Sequence, residues 1–237
     1  MSEDCSKLIA EIEARAGTIA SFIASFRNRA EVAGRGMSSS GKLYFKYPSR
    51  LRSEGLFDEK RIINVSTAET SQRYFIDEKM IWRTDLKELG AAGKAAGISD
   101  LLNMGASDPR DPFRIVDRKS LEYGGLSPFG SSNVNLFTGR LKSGLFQWKG
   151  LYSRPIDVGL SIDASSCLLV RLTCRSLQSP VPVLFEMSYE IEAVDVPLDD
   201  SLFTLDGLPS DIKRMDVTGI EAAALSGDIH RQGASKN

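Results

Sequence analysis

From Leu43 to Ala193 the chain repeatedly alternates apolar and polar residues with a period of two. Leu43, Phe45 and Tyr47 alternate with Lys42, Tyr44 and Lys46, and Ile156, Val158, Leu160 and Ile162 alternate with Asp157, Gly159, Ser161 and Asp163. Leu168, Val170, Leu172 and Cys174 repeat the pattern, and Val183, Phe185, Met187, Tyr189, Ile191 and Ala193 carry it furthest. Such alternation predicts strands with one dry and one wet face, the mark of antiparallel sheet. Weaker strand patterns cover 50–56, 61–66, 71–77, 80–84, 133–140 and 145–152. About eleven strands joined by short turns predict one meandering sheet, and a twisted sheet of that size curls toward a barrel.

Two regions break the pattern. Near the N-terminus, Leu8, Ile12, Ile19, Phe22, Ile23 and Phe26 recur at three- and four-residue steps, which predicts a helix reaching Phe26, with Ser6 as its cap. Between Asp85 and Met104, Leu86, Leu89, Ile98, Leu101 and Leu102 define a second helical face. Gly90, Gly93 and Gly97 weaken that helix by roughly 1 kcal/mol each. It reads as a lid or a long connection, ended by Asp108-Pro109 and Asp111-Pro112. Residues 218–237 are small and polar and read as a frayed tail, which leaves 1–217 as a single domain.

Composition narrows the chemistry. The 30 basic and 31 acidic residues give a net charge of −1, which supplies no general attraction to nucleic acid. The single histidine, His230, lies in the tail, so a histidine-based triad, metal site or proton shuttle has no support. Cys5, Cys167 and Cys174 lack C-x-x-C spacing. On one strand, seven residues at about 3.3 Å each hold Cys167 and Cys174 about 23 Å apart, too far to bridge. Free thiols are therefore favoured, with a bridge from Cys5 left open. No run reaches the ~20 apolar residues of a membrane span. No charged and apolar leader opens the chain, and the acidic start is compatible with a leader already removed.

No phosphate loop or nucleophile elbow is present. Asp199-Asp200 sits in a turn-like context, and Trp82 and Trp148 fall on strands without basic interleaving. Catalysis by two carboxylates facing each other across a cleft is the one enzymatic reading left, and nothing positive favours it. The expectation is a protein that is not an enzyme and needs no cofactor or metal. A curled sheet must fill its concave face, either with its own helices or with a ligand.

Several strings resemble LolA-like outer-membrane lipoprotein carriers. Ile19-Ala20-Ser21-Phe22-Ile23-Ala24-Ser25-Phe26 is similar to the end of that family's first helix. Gly41-Lys42-Leu43-Tyr44-Phe45-Lys46-Tyr47-Pro48 resembles its G-x-L-x-[ILVF]-K-[RK]-P strand and turn, and 61–77 resembles the next hairpin. Asp200-Ser201-Leu202-Phe203-Thr204-Leu205 with Leu208-Pro209 resembles its D-S-L-F signature. The ordered matches cover roughly 10–85 and 155–217, while 108–140 looks more like the wider superfamily.

The resemblance implies an unclosed β-barrel with an N-terminal helix and a helical lid, located in the periplasm or otherwise outside the inner membrane. It implies binding of lipid or an acylated lipoprotein, with transient membrane contact and no reaction catalysed. A second reading within the same fold is an envelope-stress sensor or assembly partner that binds another protein. The carriers place an arginine before the proline of the second strand, where this chain has Tyr47. That departure favours general lipid binding over the specific gating of lipoprotein transfer. The expected concave lining is Leu43, Phe45, Tyr47, Ile63, Val65 and Trp82, with Phe22, Phe26, Leu101 and Leu102 contributed by helices above.

Overall fold

The computed structural model describes residues 3–32, 34–95, 109–130, 132–142, 156–176 and 183–226. Twelve strands form one mixed sheet that does not close: β1 (Ser21–Val32), β2 (Arg35–Lys46), β3 (Arg50–Phe57), β4 (Lys60–Ser66), β5 (Thr70–Phe75), β6 (Met80–Asp85), β7 (Glu122–Phe129), β8 (Ser132–Arg140), β9 (Asp157–Asp163), β10 (Leu169–Ser176), β11 (Val183–Val194) and β12 (Lys213–Asp216). Their spatial order is β12-β6-β5-β4-β3-β2-β1-β11-β10-β9-β8-β7. All neighbours are antiparallel except β12, which runs parallel to β6. Among the described residues three α-helices accompany the sheet: α1 (Glu3–Gly17), α2 (Leu86–Ala95) and α3 (Thr218–Ser226).

The unclosed β-architecture with an N-terminal helix matches the sequence reading, but the helix is shorter. It ends at Gly17, and its buried stripe is Cys5, Ile9, Ile12 and Ala16. Phe22 and Phe26 therefore sit on β1, not on a helix. At 22, 24 and 26 the period is already two, and pairing of β1 along both edges outweighs a helical continuation of weak propensity. The segment from 218 also opens as helix α3. Thr218 is buried and its hydroxyl accepts from the Asp85 amide at 2.8 Å, while Glu221 accepts from Thr84 at 2.8 Å. The predicted strand at 145–152 and His230 lie outside the described residues.

In an antiparallel pair, residues directly opposite each other share a face. On the concave face, Phe22 pairs with Phe45, Ala24 with Leu43 and Phe26 with Gly41. One cluster gathers these with α1 and with Phe113, Ile115, Val116 and Leu121 from the crossing segment 109–121. It continues over Phe137, Leu160, Leu172 and Met187 of the far strands. A second cluster covers the convex face: Val65 and Ile81 from the sheet meet Leu198, Phe203, Leu205 and Ile212 from the C-terminal strap.

Asp200 anchors that strap. Its carboxylate pairs with Arg50 and with Lys46 Nζ at 2.5 Å, and the same ammonium donates to the Leu198 carbonyl at 2.7 Å. The buried Asp163 ties the β9–β10 turn by accepting from the amides and hydroxyls of Ser165 and Ser166. Burial pushes its carboxyl pKa up, and these hydrogen bonds override burial and hold it below the usual range. Cys5, Cys167 and Cys174 are all buried thiols, and burial pushes that of Cys174 up to about 12.

Gly41 and Gly55 face each other across β2 and β3 on the concave side. A Cβ on Gly41 would overlap the Glu54 carbonyl oxygen and come within 2.8 Å of the Gly55 Cα. The strands approach so closely there that only hydrogen fits. Gly41→Ala should therefore destabilise the protein by about 1–3 kcal/mol or more, read by denaturant unfolding, through overpacking against backbone that cannot yield. A second test concerns the strap. The Arg50 and Lys46 hydrogen bonds lower the Asp200 pKa from 3.8 to about 2. A lowered folded pKa stabilises the fold above the unfolded value, and the effect is lost as pH falls through the folded one. Asp200→Asn should lower Tm at pH 7, and the gap to the unsubstituted protein should close between about pH 4 and pH 2.

Candidate functional site

The concave floor has two chemistries. On β1 and β2 it is apolar: Phe22 stacks on Phe45 with ring centroids 5.1 Å apart, and Phe22, Phe26, Leu43 and Phe45 are all buried. On β3–β6 it is mixed, with a polar strip running beside a row that holds buried Ile62 and Phe75. From Leu43 the register runs through Ser53, Asn64 and Arg73 to Trp82. Asn64 Nδ2 donates to Ser53 Oγ at 3.1 Å, and Arg73 Nε donates to Asn64 Oδ1 at 3.0 Å. Trp82 thus shares the face of Leu43, but a hydrogen-bonded polar strip separates them. It packs edge-on to Phe75 at 4.6 Å.

Ile63 and Val65 are on the opposite face. Val65 pairs with Arg52, which pairs with Tyr44, and both Val65 and Ile63 pack in the convex cluster under the strap. The expected lining is therefore divided between two cores. Tyr47 lies just past β2 and is 61% exposed. The Arg110 guanidinium stands 5.2 Å from its ring and 4.3 Å from the Phe45 ring, and donates to the Ile19 carbonyl at 3.2 Å. Arg110 so fastens the crossing segment over the end of β1 and β2. Leu101 and Leu102 lie outside the described residues.

The apolar half of the floor is covered by the chain's own α1 and crossing segment, and its cover thins at one end. Phe57, opposite Ser39, is half-buried and leans to within 5.8 Å of the Phe26 ring. Phe185 and Met37, both opposite Ala30, are half-buried and 51% exposed respectively. These three residues did not figure in the expected lining. Phe185 carried a signal in the β11 alternation, but Phe57 and Met37 carried only their register. Two further clefts of mixed lining lie elsewhere among the described residues. One of about 960 Å³ on the convex side is floored by Thr138, Gly159 and Thr173 and rimmed by Arg140 and Arg175. Another of about 840 Å³ lies by the β9–β10 turn. Among the described residues no three His, Cys, Asp or Glu side chains are grouped to hold a metal, and no helix is long and apolar enough to cross a membrane.

The class of protein follows from the architecture: an open, half-barrel sheet with a helix across its concave face. Solved structures share it. An uncharacterized conserved protein from Thermus thermophilus superposes with a TM-score of 0.53 at 12% identity, over 90% of this chain and 99% of that one. The Mycobacterium tuberculosis lipoprotein LppX superposes with a TM-score of 0.51 at 12% identity, over 84% and 99%. No family model and no curated protein sequence matches the chain. At 12% identity these likenesses show a shared fold.

Packing sets one expectation for the floor. Phe22→Ala should cost about 3–5 kcal/mol, as for a fully enclosed aromatic. Tyr47→Ala should cost less than about 1 kcal/mol, since it removes an exposed ring and a weak cation–π contact. Chemical denaturation of the two variants measures the difference.

Proposed function

We propose that the protein is a non-catalytic, extracytoplasmic binding protein that takes up a lipid, or the acyl chain of a lipoprotein, at the thinly covered end of its concave face. The observation that carries this reading is the continuity of the apolar floor. It runs from the enclosed Phe22, Phe26, Leu43 and Phe45 out to half-buried Phe57 and Phe185 and exposed Met37. A hydrocarbon chain entering there gains about 0.8 kcal/mol per buried CH₂. It need not displace the whole of α1, because the outer residues already meet solvent. The fold shared with a mycobacterial lipoprotein supports an envelope setting. The Arg110 clamp supports a cover that stays closed over the inner floor.

Delipidated protein is expected to take up a fluorescent fatty acid saturably, at one molecule per chain. Met37→Asp with Phe57→Asp should weaken uptake by at least about tenfold by placing charge on the apolar path. Fluorescence titration reads both, and a protein with no saturable uptake would not be a lipid carrier.

A further inference from the structure

Asn28 is the one polar side chain on β1 that faces the concave apolar floor. Its side-chain oxygen is fully buried and has no hydrogen-bond partner among the described residues. The register sets Met187 on one side of it and Ser39 on the other, with Phe57 one strand further. Along β1 its same-face neighbours are Phe26 and Ala30, and Ala30 is flanked by Phe185 and Met37. Apart from Ser39, the side chains that the register sets around Asn28 are apolar, at the thinly covered end of the floor. The Ser39 hydroxyl directly across does not satisfy it.

A buried acceptor without a donor is unfavourable, and an aliphatic residue of the same size would suit these neighbours better. We infer that Asn28 is the polar anchor of the ligand site. It accepts a hydrogen bond from a hydroxyl or amide N–H on the head of an otherwise hydrocarbon ligand, whose chain lies along Phe57, Phe185 and Met37. The ligand class is a neutral amphiphile with a donor-bearing head. An ionised fatty acid still binds through its chain but without this bond, because a carboxylate has no proton to donate. The inference rests on the lipid-binding reading above and adds the chemistry of the head.

The test compares N-palmitoylethanolamine, which carries amide and hydroxyl donors, with ethyl palmitate, which has the same acyl chain and none. Each displaces N-phenylnaphthylamine from delipidated protein, and the Asn28→Leu variant is measured alongside. The unsubstituted protein is expected to prefer the amide by about tenfold, the value of one good hydrogen bond. Asn28→Leu should bind both ligands at the level of the ester, and without ligand should melt no lower than the unsubstituted protein. Equal affinity of the unsubstituted protein for the two ligands overturns the inference while leaving lipid binding intact. Binding of neither overturns both. A lower Tm for Asn28→Leu shows that the oxygen is satisfied within the protein, by a bridging water for instance, and overturns the anchor.

Discussion

Pairing of β1 along both of its edges joins the two ends of the chain into one sheet. Residues 21–32 lie between β2, which follows directly, and β11, more than a hundred residues later. Without that strand the N-terminal meander β2–β6 and the C-terminal meander β7–β11 would be separate sheets, each with open edges and half a core. With it, the concave side becomes continuous, and α1 and the crossing segment pack over its apolar half. The convex side then has to be covered as well, which is the work of the strap running from Val196 to Ile212. Lys46, Arg50 and Asp200 fasten that strap at the end of β2 where Phe45 faces the other way.

How much of this was legible depends on which physical signal a residue carries. The long antiparallel strands announced themselves by alternation. Strand β1 did not, because Leu8, Ile12, Ile19, Phe22 and Phe26 also satisfy helical spacing. Only the helix end at Gly17 and the two-sided pairing decide between the two. Strand β7 carries Gly124, Gly125 and Pro128, residues that lower strand propensity, and β12 is four residues long and mostly exposed. For the site, the difficulty was parity. Strands β3 and β4 are joined by the two-residue loop Asp58-Glu59, both at positive φ, the geometry of a tight hairpin. That loop pairs odd with even positions, whereas the three-residue link 47–49 between β2 and β3 keeps odd with odd. Ile63 and Val65 look like Leu43 and Phe45 in the sequence, yet they end on the other side of the sheet.

The concave floor therefore divides its tasks. The β1–β2 aromatics make a core that α1 seals, and across β3–β5 a hydrogen-bonded strip of serine, asparagine and arginine runs beside buried Ile62 and Phe75. The boundary between them runs through Gly41 and Gly55, where the backbones touch. Phe57 leans across this gap to Phe26. A pair of glycines thus lets an aromatic ring of β3 reach the β1–β2 core, next to Asn28.

The outermost strands of the sheet are poor templates. The parallel β12 lies along β6, and its Asp216 pairs with Arg83 at 3.1 Å. At the opposite margin, Gly125 takes φ +97 at a register shift in β7, and Pro128 removes an amide from the same short strand. Both margins resist the addition of another chain. A sheet left unclosed, with two free ends, is thereby discouraged from growing into filaments by edge-to-edge addition of its own copies.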